Sequence, residues 1–546
     1  MEKKKTSIVV LGGGFGGAFT AKRLHDRLGR DPNVEISLVN RENYFVFQPM
    51  LPEVAAGSIE PSQIANPLRR MLKGVQFFAS DVASIDVAKK QVSIFAGEGR
   101  HLRVLPYDQL VIALGTIVDL SSLPGLSEHS LALKNIGDAF YLRNHVIGCL
   151  EQADIEDDEE HRKALTTFVV VGGGFSGVET IGELQELVSL VLPHYRNLPR
   201  ENVRFLLVHS QERILPEVVP GLGDYAAEEL RSRGIEILLN LKCKAATAEH
   251  VFFSDGRKVA TRTLISTVGN APNPLLKTLP CKTERGRILA ETTLKVPGFE
   301  GLWALGDNAA VPSPDGRSYA PTAQNAIRQA AVCADNIVAT LRGGALKPFV
   351  FNALGKLASL GGRSAVAEIL GLKFKGFFAW WLWRTIYLMK LPGLERRIRV
   401  ALDWTLDLVF QRNIVQLKVF RTEKVDRGHY EAGEAIITQG EIGDRFYIVE
   451  QGRVEVVRVS NGGPEVRLAT LGPGEYFGEV ALLRDLARTA TVRALEPTDV
   501  ISLGRGDFAA FAQNLSLLKS SFEETLARRS PAPPGAAEEE RANVTA

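Results

Sequence analysis

The chain has 546 residues, enough for three or four domains of about 150 residues with well-buried cores. Its 65 Lys and Arg against 63 Asp and Glu leave a net charge of +2, so no global field recruits nucleic acid or acidic substrates. Cys149, Cys243, Cys281 and Cys333 stand far apart with no CxxC or CxxxxC spacing, which excludes a redox-active dithiol and a zinc ribbon.

MEKKKTSIVVL passes from a basic start straight into an apolar run. That leaves no room for a signal peptide, and a cytoplasmic address is expected. Ser7–Leu11 reads as a buried parallel strand, followed by GGGFGG at Gly12–Gly17 and the helix-periodic AFTAKRL. The succession recurs as TFVVV at Thr167–Val171, GGGFSG at Gly172–Gly177 and VETIGELQEL. In such a strand-to-helix turn Gly12 and Gly172 make the tight bend, Gly14 and Gly174 let backbone approach a pyrophosphate, and Gly17 and Gly177 let the helix pack closely. The helix N-terminus adds free N–H groups and positive dipole. One such cluster is often a mere turn, but two in the same setting predict two dinucleotides, a flavin meeting a nicotinamide.

The acidic residue expected about 20 residues beyond each loop, to bind a ribose, is replaced by Asn40 after ISLV and by His209 after FLLV. Asn40 can still donate or accept a hydrogen bond. At His209 the missing carboxylate removes the repulsion that would exclude the 2′-phosphate of NADPH, and Arg213 is near enough to help bind it. The first unit closes on YDQLVIALG, ending at Gly115, and the second on RTLISTVGNAPNP. GLWALGDNA then places Asp307 after a strand, where it could meet a ribityl hydroxyl or, more plainly, cap a helix.

Three of the five tryptophans fall in GFFAWWLWRTIYLMKLPG, Gly376–Gly393. Its apolar core is about 15 residues, short of the ~20 needed to span a bilayer, and Arg384 interrupts it. Trp, Tyr, Lys and Arg together are interfacial anchors, so the segment is predicted to lie on a membrane surface. Beyond Pro392-Gly393, residues Leu394, Ile398, Ala401, Leu402, Thr405 and Val409 form an apolar stripe, with Arg396, Arg399, Asp403 and Asp407 facing away. The basic residues of the first helix share no face, so burial of that helix in a homodimer is the alternative. From about Leu417 short strands separated by glycine turns read as an antiparallel β-roll. A helix LSLLKSSFEETLARR follows, then a Pro-, Ala- and Glu-rich tail expected to be disordered.

The glycine-loop pair, the ALG and TVG strand ends and GLWALGD together resemble the two-dinucleotide flavoproteins related to disulfide reductases. NYFVFQPMLPEVAAGSIEP, which contains Gln48, GGGFSGVETIGEL with Glu179, and APTAQNAIRQA with Gln324 narrow the resemblance to type II NADH:quinone oxidoreductases. That resemblance covers roughly residues 5 to 412. It implies FAD held by the first loop with Asn40, Gln48, Gly115 and Asp307, and NADH held by the second, with NADPH left open by His209. It also implies Glu179 at the nicotinamide–flavin contact as a proton relay or ring-orienting group, and Gln324 lining the pocket of a membrane quinone. The plainer alternatives are a carboxylate stabilised by a helix dipole and a surface glutamine.

FGEVALLRDLARTATV, Phe477–Val492, resembles the phosphate-binding cassette of cyclic nucleotide-binding domains. By that resemblance Glu479 takes the ribose 2′-OH and Arg488 the cyclic phosphate of cAMP or cGMP, aided by N–H groups at Gly478 and Ala481; Thr489 beside Arg488 could tilt selectivity toward cGMP, but a hydroxyl residue stands there in cAMP binders too, and the choice stays open. The alternative is a degenerate roll with Glu479 and Arg488 as an ion pair. No helix-turn-helix follows, so a transcription-factor role is not expected.

The expected fold is α/β, with two Rossmann-like domains for FAD and NAD(P)H, a helical membrane-surface segment and a C-terminal β-roll. The expected boundaries are 1–120 with 296–345 for FAD, 121–295 for NAD(P)H, 346–413 for the helical anchor, 414–528 for the cyclic nucleotide-binding domain and 529–546 for the tail. The expected activity is non-pumping NADH:quinone oxidoreduction at the cytoplasmic face of the membrane, regulated by a cyclic nucleotide. Sulfide:quinone oxidoreduction, another NAD(P)H:acceptor reductase and a redox-sensing scaffold are the alternatives.

Overall fold

The computed structural model describes residues 5–97, 101–120, 123–352, 354–407, 410, 412, 414–416, 425–441, 445–459, 464–480 and 487–504. The chain divides into two compact units, Met1–Val92 with Leu105–Lys418, and Ser93–Val104 with Val419–Ala546.

In the first unit β1 (Thr6–Leu11) leads through the first glycine loop into α1 (Phe15–Leu28), followed by β2 (Val34–Asn40), α2 (Leu51–Ala55), β3 (Gln76–Ala79) and β4 (Gln109–Ile112). Helix α3 (Ile136–Ile155) precedes β5 (Thr167–Val171), the second loop, α4 (Phe175–Val191), β6 (Arg204–Val208), β7 (Ile235–Leu238) and β8 (Thr263–Ser266). The chain returns through β9 (Leu302–Ala304) and α5 (Ala323–Arg342), then continues as β10 (Gly355–Gly361), β11 (Ser364–Ile369), β12 (Leu372–Lys375), α6 (Gly376–Lys390) and α7 (Leu394–Leu406).

Two parallel sheets carry the two loops. The first has strand order β9-β4-β1-β2-β3 and the second β7-β6-β5-β8. Strands β1 and β5 lie at or next to the centres of these sheets. Ile8–Leu11 and Phe168–Val170 are buried on both faces, as a parallel sheet covered by helices requires. Because β9 pairs with β4, Leu302 against Leu110, the segment after residue 300 rejoins the first sheet. Helix α5 packs on α1, where Arg23 donates two hydrogen bonds to Asp335 at 2.9 and 2.6 Å. Thr116–Val118 and Asn270–Pro272, where the chain leaves and re-enters this region, pair antiparallel.

The segment expected to be a helical anchor opens instead with an antiparallel meander, β10-β11-β12. Its turns explain why. Gly361 and Gly362 both have positive φ, and so do Leu370 and Gly371, the two residues joining β11 to β12. A two-residue loop with both residues left-handed suits the twist of a hairpin. None of the described helices is long and apolar enough to cross a membrane.

The second unit contains β13 (Val425–Tyr430), β14 (Ala435–Ile437), β15 (Arg445–Gln451), β16 (Val454–Val459), β17 (Glu465–Leu471), β18 (Tyr476–Phe477), β19 (Thr491–Ala494) and β20 (Thr498–Gly504). They form two four-stranded antiparallel sheets, β13-β20-β15-β18 and β14-β19-β16-β17. Val449, Val454, Phe477, Val492 and Val500 are buried between them. Ala481, the helix LSLLKSSFEETLARR and the tail lie outside the described residues.

Candidate active site

The two glycine loops have the same construction. Gly12 and Gly172 have φ of +100° and +117°, and a Cβ on either would meet Ala113 O or Thr267 Oγ1 at 2.2 Å. A Cβ on Gly17 or Gly177 would fall within 1.8 or 1.7 Å of the carbonyl of Gly12 or Gly172, so only glycine lets helix and strand approach. Gly14 and Gly174 occupy the N-cap positions of α1 and α4 with no side-chain cap, leaving helix N–H groups available. The residue ending the second strand of each sheet braces its loop. Asn40 Oδ1 accepts the Gly13 N–H at 2.7 Å, and His209 Nδ1 accepts the Gly173 N–H at 3.0 Å. Accepting at Nδ1 makes His209 a neutral Nε2–H tautomer, and burial holds its pKa below the usual histidine range.

Gly115, with φ +67°, has open space where a Cβ would stand. Its N–H is donated to Asn308 Oδ1 at 3.0 Å, and Asn308 Nδ2 donates to Ile112 O at 3.1 Å. The Gly306 N–H is donated to Gln329 Oε1 at 2.8 Å. Absent from the sequence expectations, Asn308 binds the Gly306-Asp307 segment to the end of β4 and Gln329 binds it to α5. Asp307 does not cap a helix, because Thr322 is the N-cap of α5. Burial pushes the Asp307 carboxyl up, while the charges of Lys134 and Arg287 oppose that shift. Gln48 Nε2 donates to Lys134 O at 3.1 Å, and Lys134 Nζ donates to Thr116 Oγ1 and Asn270 Oδ1.

On α4 the carboxylates Glu179, Glu183 and Glu186 follow at helical spacing, and Glu179 and Glu183 are buried. Glu179 Oε1 accepts the Ser359 N–H at 3.1 Å, and Glu183 Oε1 accepts the Ser359 hydroxyl at 3.1 Å. Glu186 Oε2 accepts the Gly362 N–H at 2.8 Å. Desolvation pushes the Glu179 carboxyl up to about 8, so it is largely protonated at neutral pH. Glu183 and Glu53 are raised for the same reason, with Arg384 and Arg412 pulling the other way. Arg384 lies between the rings of Trp380 and Trp404 at 4.2 and 4.5 Å, and 3.7 Å from Glu53. Arg412 lies 3.3 Å from both Glu186 and Asp407. A cavity of about 80 Å³ is lined by Glu183, Glu186, Trp380, Arg384, Asp407 and Arg412.

Helix α6 buries Ala379 and Trp383, and Tyr387 packs on Trp383 at 4.5 Å with its hydroxyl pKa raised by burial and by Glu179. Its opposite face leaves Phe377, Phe378, Trp381 and Met389 more than half exposed. Helix α7 buries Val400 and Trp404, and it turns the stripe Leu394, Ile398 and Leu402 outward together with Leu406. Of the polar residues of α7, Arg396, Arg397 and Asp403 are half-buried, with Arg396 Nη1 donating to Ser62 O at 2.7 Å, while Glu395 and Arg399 are exposed and pair with each other at 3.1 Å. Gln324 Nε2 donates to Gly355 O at 3.0 Å, tying α5 to β10.

In the second unit Glu479 and Arg488 are both buried, at 1% and 4% exposure. Arg488 donates to Gly478 O at 2.9 Å and Arg445 O at 2.7 Å, and its guanidinium lies 5.9 Å from the Tyr447 ring centre. Gly478 has φ +90°, and a Cβ there would stand 2.7 Å from Arg488 Nη1. Thr489 is exposed.

Residues 6–330 match the family described as Pyridine nucleotide-disulphide oxidoreductase, residues 354–413 the NDH2 C-terminal domain, and residues 427–514 the Cyclic nucleotide-binding domain. The type II NADH:quinone oxidoreductase Ndh of Mycobacterium tuberculosis is 31% identical over 426 residues, 75% of this chain and 89% of the relative. The chain belongs to the type II NADH:quinone oxidoreductases. Its enzyme class is NADH:quinone oxidoreductase. The demethylphylloquinone reductase NdbB of Synechocystis is 31% identical over 412 residues, 74% of this chain and 96% of the relative. The solved structure of NDH2 from Plasmodium falciparum in complex with NADH shares the fold, with a TM-score of 0.70 at 19% identity over 76% of this chain and all of that one.

Within this type II enzyme fold, Asn40 and His209 act on loop backbone and Gln324 on strand backbone. Ser359, Arg384 and Arg412 join Glu179 and Glu183 from segments more than 170 residues away, with no local pattern to announce them.

Proposed function

We propose that the chain is a peripheral membrane flavoenzyme that oxidises NADH at its second loop, holds FAD at its first and reduces a membrane quinone, under the influence of a cyclic nucleotide. One observation carries the membrane reading. Helix α6 packs Trp383 and Tyr387 toward Glu179 while its other face exposes Phe377, Phe378 and Trp381, so one helix spans from the buried carboxylate to an apolar outer surface.

The residues fit a dinucleotide at the first loop. A Cβ on Gly14 or Gly115 would meet nothing within 4 Å, and the α1 N-terminus is uncapped. FAD held there would supply the redox chemistry between a hydride donor and a two-electron acceptor. The chain's residues position and supply protons. Reducing a quinone with NADH consumes one further proton, and protonated Glu179 is a group able to deliver it. Reprotonation runs from the cavity through Glu186 and Glu183, with Ser359 holding both Glu179 and Glu183 in place. At the second loop no carboxylate stands at residue 209 to repel a 2′-phosphate, so NADPH is a second donor. In the roll, Arg488 and Glu479 hold the cyclic phosphate and ribose, with coupling to turnover on the order of 1–3 kcal/mol.

The test is anaerobic. NADH should bleach the flavin of the purified enzyme, a quinone in liposomes should restore its colour, and adding cAMP or cGMP should change that second rate. Flavin that NADH and NADPH both leave oxidised would defeat the reading.

A further inference from the structure

The two loops differ at Gly14 and Gly174. A Cβ built on Gly14 meets nothing within 4 Å, whereas one on Gly174 stands 3.2 Å from Glu217 Oε1. The Glu217 carboxylate therefore lies at the mouth of the second loop, beside the uncapped N-terminus of α4, where no acidic residue stands in the first turn. It is placed there by a short strap. Ile214, Leu215 and Val218 are buried, and Leu215 adopts φ +48°, a left-handed conformation that a residue with a side chain rarely takes. The Leu215 N–H is donated to Gly173 O at 2.7 Å, inside the loop itself. Val218 N–H donates to Leu215 O at 3.1 Å, and Lys356 Nζ donates to Glu217 O. Glu217 itself is exposed, so its side chain is free to swing while the strap stays fixed.

We propose that Glu217 is an internal competitor for the pyrophosphate seat of the second loop, a carboxylate that a nicotinamide dinucleotide must displace to bind. The proposal rests on the reading that this loop binds the nicotinamide dinucleotide. The physical reason is that helix N–H groups favour any anion, so the carboxylate stabilises the empty seat and repels the entering diphosphate. The first loop has no such group at Gly14, so it retains its dinucleotide while the second loop exchanges its own.

The test compares wild-type holoenzyme with Glu217→Gln, which keeps shape and removes charge. Calorimetric titration with ADP-ribose reads the pyrophosphate seat, and titration with adenosine reads the same pocket without phosphates. The dissociation constant for ADP-ribose should fall about 2- to 5-fold in the variant at low salt. The gain should shrink at high salt. Adenosine binding and FAD content should not change. Equal or weaker ADP-ribose binding in the variant overturns the proposal, and so does an equal gain for adenosine. If wild-type enzyme neither binds ADP-ribose nor is bleached by NADH, the second-loop reading itself falls.

Discussion

Ser359 joins two acids of one helix, giving its N–H to Glu179 and its hydroxyl to Glu183, each at 3.1 Å. Ser359→Ala keeps the first bond and removes the second, leaving a buried carboxyl short of a donor. Such a loss costs about 1–3 kcal/mol. The expected result is a lower melting temperature and slower quinone reduction, with flavin bleaching by NADH preserved. Equal loss of both half-reactions would remove Ser359 from the proton route.

Glu179→Gln separates proton delivery from electron entry. Stopped-flow bleaching by NADH should remain close to wild type, while reoxidation by quinone slows on the order of 10²-fold or more. A variant that reoxidises at the wild-type rate would leave Glu179 with a purely structural role.

Stability should carry the same signature. Burial pushes the Glu179 carboxyl up to about 8 in the folded enzyme, against 4.5 for an ordinary exposed glutamate. Between those values the folded state binds the extra proton, so stability falls as pH rises, by up to about 1.4 kcal/mol per pH unit for this group. Melting curves from pH 5 to 8 should show this decline, and Glu179→Gln should flatten it. A slope unaltered by the substitution would contradict the burial argument.

The loop braces predict a crossed pair of effects. Asn40→Ala should weaken FAD retention and spare nucleotide affinity, whereas His209→Ala should raise KM for NADH about fivefold and spare FAD, since one hydrogen bond contributes about 1 kcal/mol. FAD content and initial rates measured on both variants check this. Identical effects from the two would mean that the loops do not serve separate ligands.

Phe378→Ser with Ile398→Ser removes two exposed apolar side chains from α6 and α7. Sedimentation with anionic vesicles should show binding weakened by about tenfold or more, given roughly 1.5–3 kcal/mol per fully buried side chain. Turnover of a water-soluble quinone should persist. Undiminished vesicle binding would move the membrane surface elsewhere.

Arg488→Ala should weaken cyclic-nucleotide binding by about 10- to 100-fold, the range for losing a charge-assisted bond. Calorimetry on the full chain measures it. Wild-type and variant turnover that ignore added cAMP and cGMP alike would end the regulatory claim.

The local features were legible in the sequence because each depends on a few consecutive residues. Gly12 and Gly172 announce a bend because no other residue tolerates their φ beside a neighbouring carbonyl or hydroxyl. The stripe of Leu394, Ile398 and Leu402 follows from helical spacing alone. Spacing could not say which way the stripe faces, and the meander β10-β12 is not legible because its turn glycines, Gly361, Gly362 and Gly371, run directly into the aromatic helix α6 that dominates the segment. Tertiary structure alone decided the chemistry around Glu179. Its pKa depends on desolvation, and desolvation depends on β10 and α6 arriving from about 180 residues away to close over it. Helical order on α4 aligned the three acids, but burial lets Glu179 and Glu183 hold a proton, while Arg384, Arg412 and Ser359 pull Glu183 the other way.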